Sequence, residues 1–247
     1  MHPGSIPGEA SRCDGSGRAT PVGAQNGSAM IADFSGLRTK MVDGQVRTTD
    51  VTSIPLLDAL LSVPREAFVP LAKKNLAYID EDLEIAPGRF LMEPSPFARL
   101  VQLAAIRPGD FVLDVGAGTG YSSAVLSKLA GAVVALEQDT ALAAKAQEVL
   151  AGLGYDTVAV VEGPLAFGHA PEAPYDVILI EGAVEQVPSA LFDQLKDGGR
   201  LIAVEGLGNA AVARLHIKHK GVVSARRAFN AAVKPLPGFH TAPVFEF

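Results

Sequence analysis

Three glycines in five residues, Gly116, Gly118 and Gly120, follow directly on the apolar run FVLDV and precede a segment of helical pattern that begins near Tyr121. A chain that passes from a buried strand into a helix over so few residues needs left-handed backbone, which glycine adopts without a Cβ clash. The missing side chains also let a ligand approach main-chain atoms at the carboxyl end of a strand, where open parallel sheets place their crevice. The remaining apolar runs agree with such a sheet. FVLDVG, VVALEQD, VAVVEG, YDVILI and RLIAVEG alternate with segments of helical length, the signature of βαβ units. In the clearest helix Leu142, Ala146, Val149, Leu150 and Leu153 recur at helical spacing, and Gly154 is placed to end it. Gly198-Gly199 reads as a second helix stop. VARLHIK and VVSARRAF, separated by His219-Lys220-Gly221, predict an antiparallel hairpin at the sheet edge. The expectation is an α/β, doubly wound sheet of seven strands.

Ahead of the sheet lie two unlike stretches. Residues 1–29 are rich in Gly, Ser and Pro without periodic apolar positions, and read as a flexible leader, with Met30 an alternative start. Residues 30–108 show an interrupted helical pattern. Charges occupy one face from Leu37 to Val46, and Ile54-Pro55 leads into LLDALLSV, which Pro64 stops. Ser95-Pro96 offers an N-cap with proline at the first helical position, followed by an apolar stripe at Phe97, Leu100, Val101, Leu103 and Ala104. The boundaries expected are thus 1–29, 30–108 and 109–247.

Composition narrows the function. Lys and Arg number 21 against 27 Asp and Glu, a net charge of −6, and no segment gathers enough basic residues to track a row of phosphates, so nucleic acid is not an expected partner. No apolar run of transmembrane length occurs and the first residues lack the apolar stretch of a secretory signal, which predicts a cytoplasmic protein without a membrane partner. Cys13 is the single cysteine, which excludes an internal disulfide and weakens thiol or structural-metal chemistry. His216 and His219, three apart on a strand, point to opposite faces and read as surface histidines, with His169 solvated in a loop and no metal expected. Arg226 and Arg227 read as an exposed edge.

Glu137 ends the second strand, where an acid accepts both hydroxyls of a ribose. A nicotinamide or flavin dinucleotide is one candidate ligand, but its loop is G-x-G-x-x-G, and the last of those positions is Tyr121. The G-x-G-x-G spacing instead resembles the loop of S-adenosylmethionine-dependent methyltransferases. A glycine turn without a ligand is the structural alternative.

Longer blocks carry a closer resemblance. MVDGQVR (41–47), VPREAFV (63–69), AYID (77–80), VLDVGAGTGYSSAVLSKLAG (112–131) and PYDVILIEGA (174–183) with Val187-Pro188 are similar to the protein-L-isoaspartate O-methyltransferases, from about Lys40 to Gly206. The resemblance implies a Rossmann-like methyltransferase sheet whose N-terminal helical region helps form the acceptor pocket. It implies a cytoplasmic repair enzyme that uses S-adenosylmethionine to esterify isoaspartyl carboxylates in damaged proteins and peptides. It places Gly116, Gly118 and Gly120 along the methionine moiety and Glu137 on the ribose, with Asp114 and Gly163 completing the cofactor set. No catalytic base is implied, because a carboxylate acceptor is already ionised at pH 7.

Three departures concern the acceptor and the adenine. The family's Gly-Gln-Thr-Ile-Ser is Gly88-Arg89-Phe90-Leu91-Met92, its Gly-Asp-Gly is Gly163-Pro164-Leu165, and a customary hydroxyl residue is Glu181. Arg89, Phe90, Met92 and Glu181 are therefore the candidate substrate residues. Arg89 is either a bidentate fork for an acceptor carboxylate or a solvated surface charge. Glu181 and Glu185 suit a neighbouring sulfonium and would repel a carboxylate. A different acceptor, or a non-catalytic binding protein of the same fold, stays open at this point.

Overall fold

The computed structural model describes residues 33–239, so the expected leader, Cys13 and Met30 lie outside the described residues. Helix α1 (Phe34–Met41) starts at Asp33, whose carboxylate accepts the Gly36 N–H at 2.9 Å. A π-helical turn over Val42–Val46 follows, then α2 (Ile54–Ser62) with Pro55 in its first turn and its end just ahead of Pro64. The next element departs from the helical expectation: β1 (Leu83–Ala86) and β2 (Arg89–Leu91) form an antiparallel hairpin across Pro87-Gly88. Gly88 has φ +70°, which a turn with proline at its second position and glycine at its third requires. Helix α3 (Pro94–Ala104) begins one residue before Ser95. Glu93 is its N-cap, and the expected Ser95 cap does not form because Pro94 already opens the helix.

The sheet follows as β3 (Phe111–Val115), α4 (Tyr121–Ser127), β4 (Ala132–Glu137), α5 (Thr140–Gly152), β5 (Val158–Glu162), β6 (Tyr175–Val184), α6 (Ser189–Asp193), β7 (Leu195–Glu205), β8 (Val212–His219) and β9 (Val222–Asn230). Its seven strands lie in the order β5-β4-β3-β6-β7-β8-β9; the first five are parallel and the last two form the antiparallel edge hairpin expected from the sequence. Two local expectations fail. Residues 163–174 form two single 3₁₀ turns instead of a crossover helix, because Pro164, Pro171 and Pro174 deny it an uninterrupted run of N–H donors. Gly198-Gly199 lies inside β7 and ends no helix, α6 having stopped at Asp193.

Both faces of the sheet are buried, which is why its strands read as nearly unbroken apolar runs. Val112, Val133, Val177 and Ile202 pack with Leu100, Val101 and Val125 in one layer. Leu113, Val134, Ile178 and Leu201 face the other, with Leu236 and Phe239. After β9 the chain returns to the centre of the sheet. The Ala183 N–H donates to Lys234 O at 2.9 Å and the Leu236 N–H to Ala183 O at 2.8 Å, which lays residues 234–236 along the end of β6.

Candidate active site

β4 lies on one side of β3 and β6 on the other, so the connections leave in opposite directions and a crevice opens at the carboxyl ends of these strands. The glycine loop lines it. Gly116 and Gly118 have φ of +86° and +58°, and the N–H groups of Gly116 and Ala117 donate to Leu136 O at 2.9 and 3.2 Å, tying the loop to β4. Gly120 is the N-cap of α4. A Cβ on Gly116 would lie 2.8 Å from Leu236 Cδ1, and one on Gly118 would lie 2.8 Å from Ile85 Cδ1. The loop is thus covered by one side chain from the β1–β2 hairpin and one from the returning segment.

Glu137, fully buried at the end of β4, is the hub. Its Oε1 accepts the N–H groups of Gln138 and Asp139 at 2.8 and 3.0 Å, and its Oε2 accepts that of Gly118 at 2.8 Å. Arg89 completes the set as a fork, with Nη1 on Oε1, Nη2 on Oε2 at 2.7 Å, and Nη2 also on Gly116 O at 3.2 Å. The solvated-charge reading of Arg89 is therefore corrected: the residue is 5% exposed, because the short hairpin turns its guanidinium onto the one buried carboxylate in reach.

The other candidates separate. Asp114 is buried, its Oδ2 accepting from Ser122 and Ser123 at 2.6 and 2.5 Å while Oδ1 has no partner among the described residues. Burial, reinforced by the Glu137 charge and opposed by the two serines, pushes its carboxyl up to about 6. Glu181 Oε1 is likewise sealed from solvent without a partner, and burial followed by the nearby Asp114 charge holds Glu181 well above the usual carboxylate range. Phe90 is half-buried, its ring centroid 5.6 Å from Lys234 Nζ. Met92 belongs to the apolar core, so it is corrected from a candidate acceptor contact to a packing residue. Gly163 donates its N–H to Glu137 O at 3.0 Å and lines a groove of about 580 Å³ with Gln138, Asp139, Glu162 and Pro164, which continues outward from Glu137.

Arg65 is the residue that sequence reasoning misses. It is fully buried, donates to Ala77 O at 2.7 Å and Met92 O at 2.8 Å, and stacks its guanidinium 4.8 Å from the Tyr121 ring centroid, fastening the N-terminal region to the start of α4. The signal lies in VPREAFV, where a lone charge stands in an apolar stretch. His216 is corrected as well. It is 7% exposed and bonded to Glu205 at 2.5 Å, with its ring 5.0 Å from that of Phe192, whereas His219 is exposed as expected. His169 is half-buried, and Arg226, Arg227 and Glu185 are exposed. Among the described residues no group of three His, Cys, Asp or Glu could hold a metal ion, and no helix is long and apolar enough to cross a membrane.

The family described as protein-L-isoaspartate(D-aspartate) O-methyltransferase matches residues 38–236, most of the chain. The chain belongs to that family. A protein-L-isoaspartate O-methyltransferase of Koribacter versatilis is 37% identical over 208 residues, 84% of this chain and 94% of the relative. Among solved structures, a protein-L-isoaspartate O-methyltransferase aligns with a TM-score of 0.70 at 26% identity over 83% of this chain and 67% of its own. A putative protein-L-isoaspartate O-methyltransferase from Plasmodium falciparum, in complex with S-adenosyl-L-homocysteine, also gives 0.70 at 19% identity over 84% and 99%, which shows the shared fold. Membership agrees with the doubly wound seven-stranded sheet and with the N-terminal region set against α4.

The donor set fits the cofactor of such a methyltransferase. The crevice carries a glycine loop whose open faces a Cβ would fill, a buried carboxylate at the end of β4 and an unpartnered carboxyl oxygen on Asp114. In kind these are acceptors for hydroxyl and ammonium groups and a surface for close main-chain approach.

Proposed function

We propose that this chain transfers a methyl group from S-adenosylmethionine to the carboxylate of isoaspartyl residues in damaged proteins, as a cytoplasmic repair enzyme. The observation that carries the reading is Glu137: a fully buried carboxylate at the end of β4, joined to the glycine loop through Gly118, in a chain of this family. Gly116, Gly118 and Gly120 line the methionine moiety, Glu137 takes the ribose hydroxyls, Asp114 faces the cationic end, and Gly163 borders the groove for the adenine. Arg89, Phe90 and Glu181 lie toward the acceptor.

When bound, the cofactor supplies a methyl group on a sulfonium, open to in-line displacement. An isoaspartyl carboxylate is ionised at pH 7, so no side chain has to take a proton from it, and the residues of the crevice contribute alignment and exclusion of water. Misalignment by about 1 Å costs on the order of a hundredfold in rate. The covering side chains Ile85 and Leu236 supply the dry walls.

Methyl incorporation into an isoaspartyl peptide, with the matching aspartyl peptide as control, tests the proposal. Incorporation into the isoaspartyl peptide alone is expected, and equal or null incorporation into the two rejects it. A second acceptor class is favoured by one observation, the partnerless Glu181 oxygen, since a second carboxylate repels an anionic acceptor. Glu181→Thr separates the two: a gain in isoaspartyl methylation supports the repair reading, and a loss points to a cationic or neutral acceptor.

A further inference from the structure

The carboxylate that a ribose would need is already held by the chain itself. Arg89 presents two parallel N–H donors to Glu137, the pattern that a ribose diol presents with its two hydroxyls, so the two cannot occupy the carboxylate together. The same guanidinium reaches across to Gly116 O, spanning the ends of β3 and β4 where the ligand would lie. Exchange leaves Glu137 well provided, because the N–H groups of Gly118, Gln138 and Asp139 remain on it. The hairpin is also free to move in one important respect. β1 and β2 pair only with each other, so their displacement breaks no rung of the seven-stranded sheet.

Arg89 fares worse in that exchange. Away from Glu137 its remaining partner is one neutral carbonyl, and a guanidinium so placed requires another anion. The acceptor brings one to the same crevice, and a carboxylate is the group whose geometry an arginine fork matches.

We infer that Arg89 is a positioning residue on which both substrates act: it occupies Glu137 until the cofactor's ribose displaces it, and the released guanidinium then holds the acceptor's carboxylate. The two substrates therefore bind with positive coupling, and by linkage each tightens the other by the same factor. This rests on the methyltransferase reading above.

Calorimetric titration of the full chain with S-adenosylhomocysteine, alone and with saturating isoaspartyl peptide, provides the test in the parent, Arg89→Gln and Arg89→Lys. Arg89→Gln is expected to bind S-adenosylhomocysteine about tenfold more tightly than the parent, because the self-occupied form no longer competes. Arg89→Lys, which keeps the charge and loses the fork, falls between. The peptide is expected to tighten binding to the parent by about threefold or more and to have no effect on Arg89→Gln. Equal or weaker binding by Arg89→Gln overturns the competition. A peptide effect absent from the parent, or undiminished in Arg89→Gln, overturns the release onto the acceptor. Absence of saturable binding to all three chains overturns the cofactor reading and this inference together, whereas failure of the inference alone leaves binding intact and equal. Thermal unfolding of each variant, run alongside, establishes that every titration reports on folded protein.

Discussion

The Arg89–Glu137 pair is buried on both sides, with side chains 6% and 0% exposed, yet its two members are not equally dependent on one another. Glu137→Gln keeps the shape and removes the charge. The guanidinium is then left with Gly116 O and an amide that places a donor against it, and an uncompensated buried charge of this kind costs about 3–5 kcal/mol. Arg89→Gln is milder. Glu137 keeps three backbone N–H donors at 2.8–3.0 Å, so the loss is that of charge-assisted bonds, a net of about 1–2 kcal/mol. For a domain of this size 1 kcal/mol moves Tm by about 2–4 °C, which puts Glu137→Gln roughly 6–20 °C below the parent and Arg89→Gln roughly 2–8 °C below it. Urea unfolding and thermal scans without cofactor give the order. The double variant should be no less stable than Glu137→Gln alone, since the orphaned guanidinium is gone. An Arg89→Gln loss equal to or larger than that of Glu137→Gln would refute the reasoning, because it would mean that the backbone donors do not hold the carboxylate.

Three more outcomes follow from the same site. Asp114, raised to about 6 by burial, keeps its proton in the folded state through a pH range where the unfolded chain has lost it; stability falls as pH rises from about 4 to 6, and the full penalty, at most about 3 kcal/mol, stands above that window. Asp114→Asn should therefore gain stability over the parent at pH 7.5 and lose the advantage near pH 4.5, and chemical denaturation at the two values showing a constant difference would exclude this account. Met92→Ser, which restores a hydroxyl of the family pattern, should lower stability by about 2–5 kcal/mol in urea unfolding, because the side chain fills core rather than crevice. Gly118→Val should weaken S-adenosylhomocysteine binding in calorimetry by at least about tenfold, since a Cβ at φ +58° is strained and enters the face that Ile85 touches; unchanged affinity would remove the glycine loop from the ligand site.

Much of the fold is legible in the sequence because a sheet buried on both faces writes its strands as apolar runs, and the glycine loop marks where the first of them ends. The β1–β2 hairpin is not legible as periodicity, since strands of four and three residues are too short to show one, although Pro87-Gly88 is a turn signal in plain view. The same holds for residues 163–174, whose three prolines outweigh their helical length. Glu137 is found by its spacing from the loop. Arg89 is not, because the burial of a charged residue depends on a partner 48 positions away, and nothing local in Gly88-Arg89-Phe90 distinguishes a fork on a buried carboxylate from a solvated charge. His216 misleads for a related reason: its burial comes from Glu205 on β7 and Phe192 after the start of α6, neither of which its own strand reveals.

The segment that ends at Leu236 covers Gly116 from the far side of the sheet, and it follows every strand in the chain. Synthesis runs in that same direction, and domains take shape as they leave the ribosome. A nascent chain thus passes through a stage in which the loop, β4 and Glu137 have emerged while the residues that will lie over Gly116 have not yet been made. The Arg89 hairpin, by contrast, emerges before any of them. A newly made molecule meets its first cofactor with one cover in place and the other still missing, so the crevice that a mature chain must reopen has one side open for the first arrival.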